Sequence, residues 1–215
     1  MCFSATASFA AAGVLSATGA VTLSKVKSKR EIPLASIPLL FGVQQAIEGV
    51  VWVSFGSTLL NTIATYGFLF FAYVLWPIFV PVAVMLVEPS RTRKRALKIL
   101  SFVGLAIGLY LLYYLLIEPS KAHVVGGSIA YDFKHIYDLV YLIPYVLVTA
   151  GSGLISSHKI LNLFGIAATL SFFVAFWLYY VNFISVWCFF AALLSVIILW
   201  FFLRKPVATK PVEAG

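Results

Sequence analysis

Long uncharged apolar runs, separated by short charged clusters, dominate the chain. Seven of them predict helices: Phe3–Ser24, Pro33–Phe55, Ile63–Val87, Ile99–Ile117, Tyr137–Ser156, Ile160–Val181 and Ile184–Leu203. Each holds about 18 to 25 residues, enough to cross a hydrocarbon core about 30 Å thick. The pattern changes once, between the fourth and fifth runs. There "HVVGGSIAYDFKH" places Val124 and Val125 before a Gly-Gly pair and Ile129 and Tyr131 after it. That order predicts a short hairpin with a tight turn, lying over one mouth of the bundle. The expected fold is an all-α membrane protein, a seven-transmembrane-helix bundle forming one domain over residues 1–205, with a short cytoplasmic tail at 206–215.

Composition agrees: 62% of residues are hydrophobic and 10% charged, against about one quarter charged in soluble domains. The net charge of +8 is distributed in clusters, "SKVKSKRE", "SRTRKRALK" and "LRKP", that flank apolar runs. This is the arrangement of cytoplasmic membrane flanks, not of a nucleic-acid surface. With odd helices running inward, the inner segments hold 13 of the 15 lysines and arginines, and only Lys121 and Lys134 lie outside. The amino end is therefore expected outside and the carboxyl end in the cytoplasm. The first apolar stretch starts at Phe3 with no basic region before it, so it reads as a retained helix and not a cleaved signal. The expected location is the prokaryotic cytoplasmic (inner) membrane. Trp52, Trp177 and Trp187 fall near the outer interface and Trp200 near the inner one, as aromatic belts do. Trp76 lies mid-helix beside Pro77, with Pro81 one turn on, where kinks are expected.

Polar residues inside the runs carry the candidate chemistry. Asp138, Tyr141, Tyr145, Thr149 and Ser152 are three and four apart and share a helical face, which is expected to turn inward. In "GVQQAIEGVVW", Gln44, Glu48 and Trp52 share a face, with Gln45 beside it. Glu48 is the only carboxylate well inside a run. An ionisable group there costs about 2.5–3.5 kcal/mol on insertion scales and faces a cavity or a partner. No lysine or arginine lies at its depth, so Glu48 is expected to be protonated or to hold an external cation, as the acid–base or counter-charge group of the site.

Cys2 and Cys188 reach similar depth at the outer end of the first and last helices. Three outcomes are open for them: a disulfide on an oxidising face, an inert pair, or a metal or reactive-thiol site. An amino-terminal thiol beside a free amine or a methionine thioether suits a soft metal, copper first and zinc second. Thr6 shares the Cys2 face and joins the expected pocket. Ser4, Ser8, Ala12, Ser16 and Ala20 recur every fourth residue and read as a packing stripe. In the outer loop, Asp132, His135 and Asp138 are three apart, a spacing open to metal ligation, proton shuttling or simple capping.

The blocks "MCFSATASF", "LLFGVQQAIEGVVW", "LWPIFVP" and "SVWCFFAA" resemble those of an uncharacterised family of small prokaryotic membrane proteins, over a stretch from Met1 to about Leu193. The resemblance implies a seven-helix build and groups Cys2, Glu48, Trp76 and Cys188 in its blocks. The expected site faces outward, because the inner stretches "PLASIPLL" and "LLSVIILWFFL" are almost wholly apolar. Its expected lining is Gln44, Gln45, Trp52, Trp76, Tyr141, Tyr145, Thr6 and Trp187, and its partners are the lipid bilayer and a small molecule or metal ion at the outer face. Three functions follow as expectations: redox or metal handling on copper or zinc, proton- or cation-coupled transport through Glu48, or a receptor or structural role binding a lipid or partner.

Overall fold

The computed structural model describes residues 4–204. Helix α1 (Ala5–Ser24) starts at Ser4, whose hydroxyl accepts from the Ala7 N–H at 3.2 Å and caps the first turn. α2 (Ile32–Val53) lies along it. Ser8 is fully buried, and a Cβ on Gly42 of α2 would meet the Ser16 hydroxyl at 2.7 Å, so the small-residue stripe does bring two backbones together.

α3 (Thr58–Val87) contains a π-helical turn at Phe70–Leu75, just before Trp76 and Pro77. A proline has no N–H for the carbonyl four residues earlier, so the wider turn ahead of Pro77 relaxes the clash. Pro81 likewise leaves the Pro77 carbonyl without its helical donor. Gly104 of α4 (Arg91–Ile117) packs onto that oxygen; a Cβ at 104 would sit 1.9 Å from it. α4 begins at Arg91, not at Ile99 as expected, because Ser90 caps the charged stretch. The basic run is the helix's own first turns.

Strands β1 (Ala122–Val125) and β2 (Ser128–Tyr131) form the expected hairpin, with Val124 opposite Ile129. Both turn glycines have positive φ, 58° at Gly126 and 79° at Gly127, which a two-residue type I′ turn needs. β2 is buried throughout; Tyr131 stacks on Phe68 at 4.7 Å, and Phe133 beyond it on Tyr73 at 4.6 Å. The hairpin therefore plugs its end of the bundle.

The fifth run departs from expectation. The expected continuous helix Tyr137–Ser156 is broken into a 3₁₀ turn at His135–Tyr137, α5 (Leu139–Thr149) and α6 (Gly151–Ile155). Asp138 starts α5 by accepting from the Val140 N–H at 3.0 Å, and α6 lies against α7 (Lys159–Leu178) through Gly153 and Gly165, where any Cβ would strike backbone within 3 Å. α8 (Tyr180–Leu203) is interrupted at Ser195, whose hydroxyl turns back to the Ala192 carbonyl at 2.6 Å. Among the described residues, six helices are long and apolar enough to cross a membrane: α1, α2, α3, α4, α7 and α8.

The basic end is fastened by polar groups. Glu88, after α3, accepts from the Ser157 N–H at 2.7 Å, the Ser156 hydroxyl at 3.2 Å, the Ser90 N–H at 3.0 Å and the Ser157 hydroxyl. Arg93 donates to the Ser156 carbonyl at 2.6 Å and the Ile155 carbonyl at 3.2 Å. Two turns, α3–α4 and α6–α7, are thereby tied to each other.

Candidate functional site

Glu48 is 0% exposed, as are Gln44 and Gln45 on the same helix. Ser185 of α8 donates its hydroxyl to one Glu48 oxygen at 2.6 Å, and the Gln45 amide donates to the other at 3.3 Å. Both donors are neutral, and among the described residues no lysine, arginine or histidine forms an ion pair with this carboxyl. Gln44 turns toward α3, where the Trp76 indole N–H donates to its carbonyl oxygen at 2.7 Å and Phe41 stacks on the indole at 4.0 Å. The Gln44 NH₂ and the Gln45 carbonyl oxygen are buried without a hydrogen bond among the described residues.

Cys188 follows Ser185 by three residues, so one face of α8 presents both. The thiol is buried beside Gln44, with Glu48, Tyr73 and Tyr145 within electrostatic reach. Tyr145 donates its hydroxyl to the Ala72 carbonyl inside the π-helical turn, so the irregular turn is read by a side chain from α5. The Trp187 indole donates to the Ala168 carbonyl at 2.9 Å. Between α2, α3, α5, α7 and α8 lies a narrow cavity, about 450 Å³ counted with the solvent space at its mouth, whose walls include Phe41, Trp76, Tyr145, Phe164, Trp187 and Cys188. The polar atoms of Trp76, Tyr145, Thr149 and Trp187 on these walls are bonded to backbone or to Gln44, and the thiol lies against Gln44 as well. Glu48 does not line the cavity; Gln44, Trp76 and Cys188 stand between them.

Gln44, Gln45, Glu48, Trp76, Tyr145, Trp187 and Cys188 converge. Trp187 is buried in the cavity wall. Trp52 stays near the helix end, edge-on to Phe55 at 6.2 Å, with its indole N–H unbonded among the described residues. Tyr141 points away and stacks on Tyr110 at 4.1 Å. Thr6 is exposed. Cys2 lies outside the described residues. Asp132, His135 and Asp138 are not brought together: Asp132 faces His123 at 3.5 Å, His135 contacts both Glu118 oxygens at 3.0 Å, and Asp138 caps α5. Among the described residues no three His, Cys, Asp or Glu gather as a metal-binding group. The irregular segment from Asp132 to Lys134 and the 3₁₀ turn after it undo the helical spacing that grouped these residues in the sequence.

Sequence reasoning missed Ser185, Tyr73 and the Ala72 carbonyl. Ser185 carried one signal, its position one turn before Cys188; the π-helical turn was foreshadowed only by Pro77.

The chain matches the model of a family of unknown function, DUF6629, over residues 1–213. No curated protein matches it, and no solved structure does. The chain belongs to this family of unknown function.

Proposed function

We propose that the protein is a multi-pass prokaryotic cytoplasmic-membrane protein, amino end outside, in which Glu48 takes up and releases a proton as the helices around it rearrange, coupling that proton to movement of a small solute. The observation carrying this reading is the fully buried carboxyl held by two neutral donors. Among the described residues no cationic side chain pairs with it, and a buried carboxylate held only by neutral donors is expensive, so the neutral acid is taken as the resting form. Ionisation then requires water or a cation to reach it, and either requires α2 and α8 to part. The π-helical turn, Pro77 and Pro81 of α3 give a neighbouring helix a place to bend. The narrow apolar cavity lined by Trp76 and Cys188 would widen with the same parting of helices to take an uncharged group. The fifth run completes a seventh crossing in this reading, as two short helices in line.

A soft-metal site, copper or zinc on Cys2 and Cys188, is the competing reading. Around Cys188 the described residues offer one carboxylate, one amide and two tyrosines besides the thiol, with no second soft donor for either metal among them.

Trp76 reports on the site through Gln44, so tryptophan emission in proteoliposomes is followed across pH for wild type and Glu48→Gln. A pH-dependent transition present in wild type and absent from the variant is the expected result. Identical profiles would remove Glu48 from the mechanism, and near-stoichiometric copper or zinc in purified protein, lost in Cys188→Ser, would move the site to the thiols.

A further inference from the structure

A second cleft, independent of Glu48, opens at the hairpin end of the molecule. It encloses about 680 Å³ counted with the solvent space at its mouth, and its walls include His123, Asp132, Lys134, Tyr137, Tyr180 and Val181. Three features set its chemistry. First, Tyr137 donates its hydroxyl to the Val181 carbonyl at 2.9 Å, and its ring stands 5.3 Å from that of Tyr180 at 53°. The phenol is thus fixed to the backbone. What the pair presents is two aromatic surfaces, whose faces attract ammonium groups.

Second, the Asp132 side chain is 57% exposed at the rim. His123 stands 3.5 Å away and is 44% exposed, so the carboxylate is accessible and only loosely engaged. Third, Lys134 is exposed two residues further on, while Phe133 between them is buried against Tyr73. Asp132 and Lys134 are both exposed on either side of the buried Phe133, and both line the cleft. A carboxylate, an ammonium and the two tyrosine rings therefore line the same cleft. The titratable groups lining the cleft are His123, Tyr131, Asp132, Lys134, Tyr137 and Tyr180.

We propose that this cleft binds a small zwitterion, its ammonium end against Asp132 and the Tyr137–Tyr180 rings and its anionic end at Lys134. A free solute and the headgroup of a zwitterionic lipid share that chemistry. An isolated cation or anion engages only half of the site.

The test is calorimetric titration of the full chain in a maltoside detergent with phosphocholine, choline and inorganic phosphate. Phosphocholine is expected to bind at least tenfold tighter than either half. Asp132→Asn and Tyr180→Ala should each weaken it at least tenfold, and Lys134→Gln should erase its advantage over choline. Glu48→Gln should leave it unchanged, which separates this site from the proton site. Retained elution profile and tryptophan emission confirm that each variant is folded. No phosphocholine binding by the wild type, or equal binding by Asp132→Asn and Tyr180→Ala, overturns the proposal. Repeating the titration in nanodiscs assigns the source: inhibition by phosphatidylcholine but not phosphatidylglycerol identifies the headgroup, and equal affinity in both identifies a free solute.

Discussion

Glu48 receives its two hydrogen bonds from very different distances along the chain, Gln45 one turn before it and Ser185 on the last helix. The local partner was legible, since the three-residue spacing places an amide beside an acid on one face. The distant one was not, because a serine in an apolar helix most often bonds its own backbone, as Ser101, Ser152 and Ser195 do here. Removing the Ser185 hydroxyl leaves a buried acid with one weak donor. Ser185→Ala should therefore cost about 1–3 kcal/mol of stability, read as a lowered unfolding temperature in detergent. The same substitution in a Glu48→Gln background should cost less, because the amide needs that donor less than the acid does. Equal losses in both backgrounds would mean that Ser185 serves packing alone.

At the scale of elements, apolar run length found the helices but misjudged two kinds of boundary. Charged residues were read as loop at the start of α4, although arginine and lysine stems lie comfortably along a helix end. The fifth run was read as continuous, although Pro144, Gly151 and Gly153 weaken it and the glycines serve the contact with α7 instead. The contact between α3 and α4 rests on Gly104 against the Pro77 carbonyl, which has no slack. Gly104→Ala should force the two helices apart and cost at least about 1–3 kcal/mol, seen as reduced yield and thermal stability. Gly13→Ala, where nothing lies within 4 Å, should be neutral or slightly stabilising in the same assay.

The tie at the basic end makes a pH prediction. Burial of Glu88 opposes its charge, but the hydrogen bonds from Ser157, Ser90 and Ser156 outweigh it and hold the carboxyl below its ordinary 4.5. A carboxyl with a lowered folded value contributes stability above its unfolded value and loses it as pH falls through the folded one. Between about pH 6 and about pH 3, around the ordinary carboxylate range, wild type should lose more thermal stability than Glu88→Gln. Parallel curves for the two proteins would show that Glu88 does not anchor the turns.

For the whole molecule, the charge asymmetry and the hairpin agree on two chemically distinct ends. The basic end carries Lys25, Lys27, Lys29, Arg30, Arg91, Arg93, Lys94, Arg95, Lys98, Lys159 and Arg204, and the hairpin end only Lys121 and Lys134 among described lysines and arginines. In the proposed orientation a membrane-impermeant maleimide should label Gly127→Cys on intact cells and label Lys94→Cys only after permeabilisation; the reverse pattern would invert the topology. The two-ended charge was plain from the sequence. The position of the cavity was not, because it forms where five helices meet, and that depends on kinks at Pro77 and Ser195 that apolar patterning does not encode.

The central claim is that Glu48 is a buried, neutral acid whose proton exchanges when the helices part. Infrared difference spectroscopy of proteoliposomes stepped between acidic and alkaline pH tests it most directly. A protonated-carboxyl band that appears in wild type, shifts in deuterium oxide and is missing in Glu48→Gln is the predicted result. A wild-type spectrum without such a band, or one that Glu48→Gln leaves intact, would contradict it.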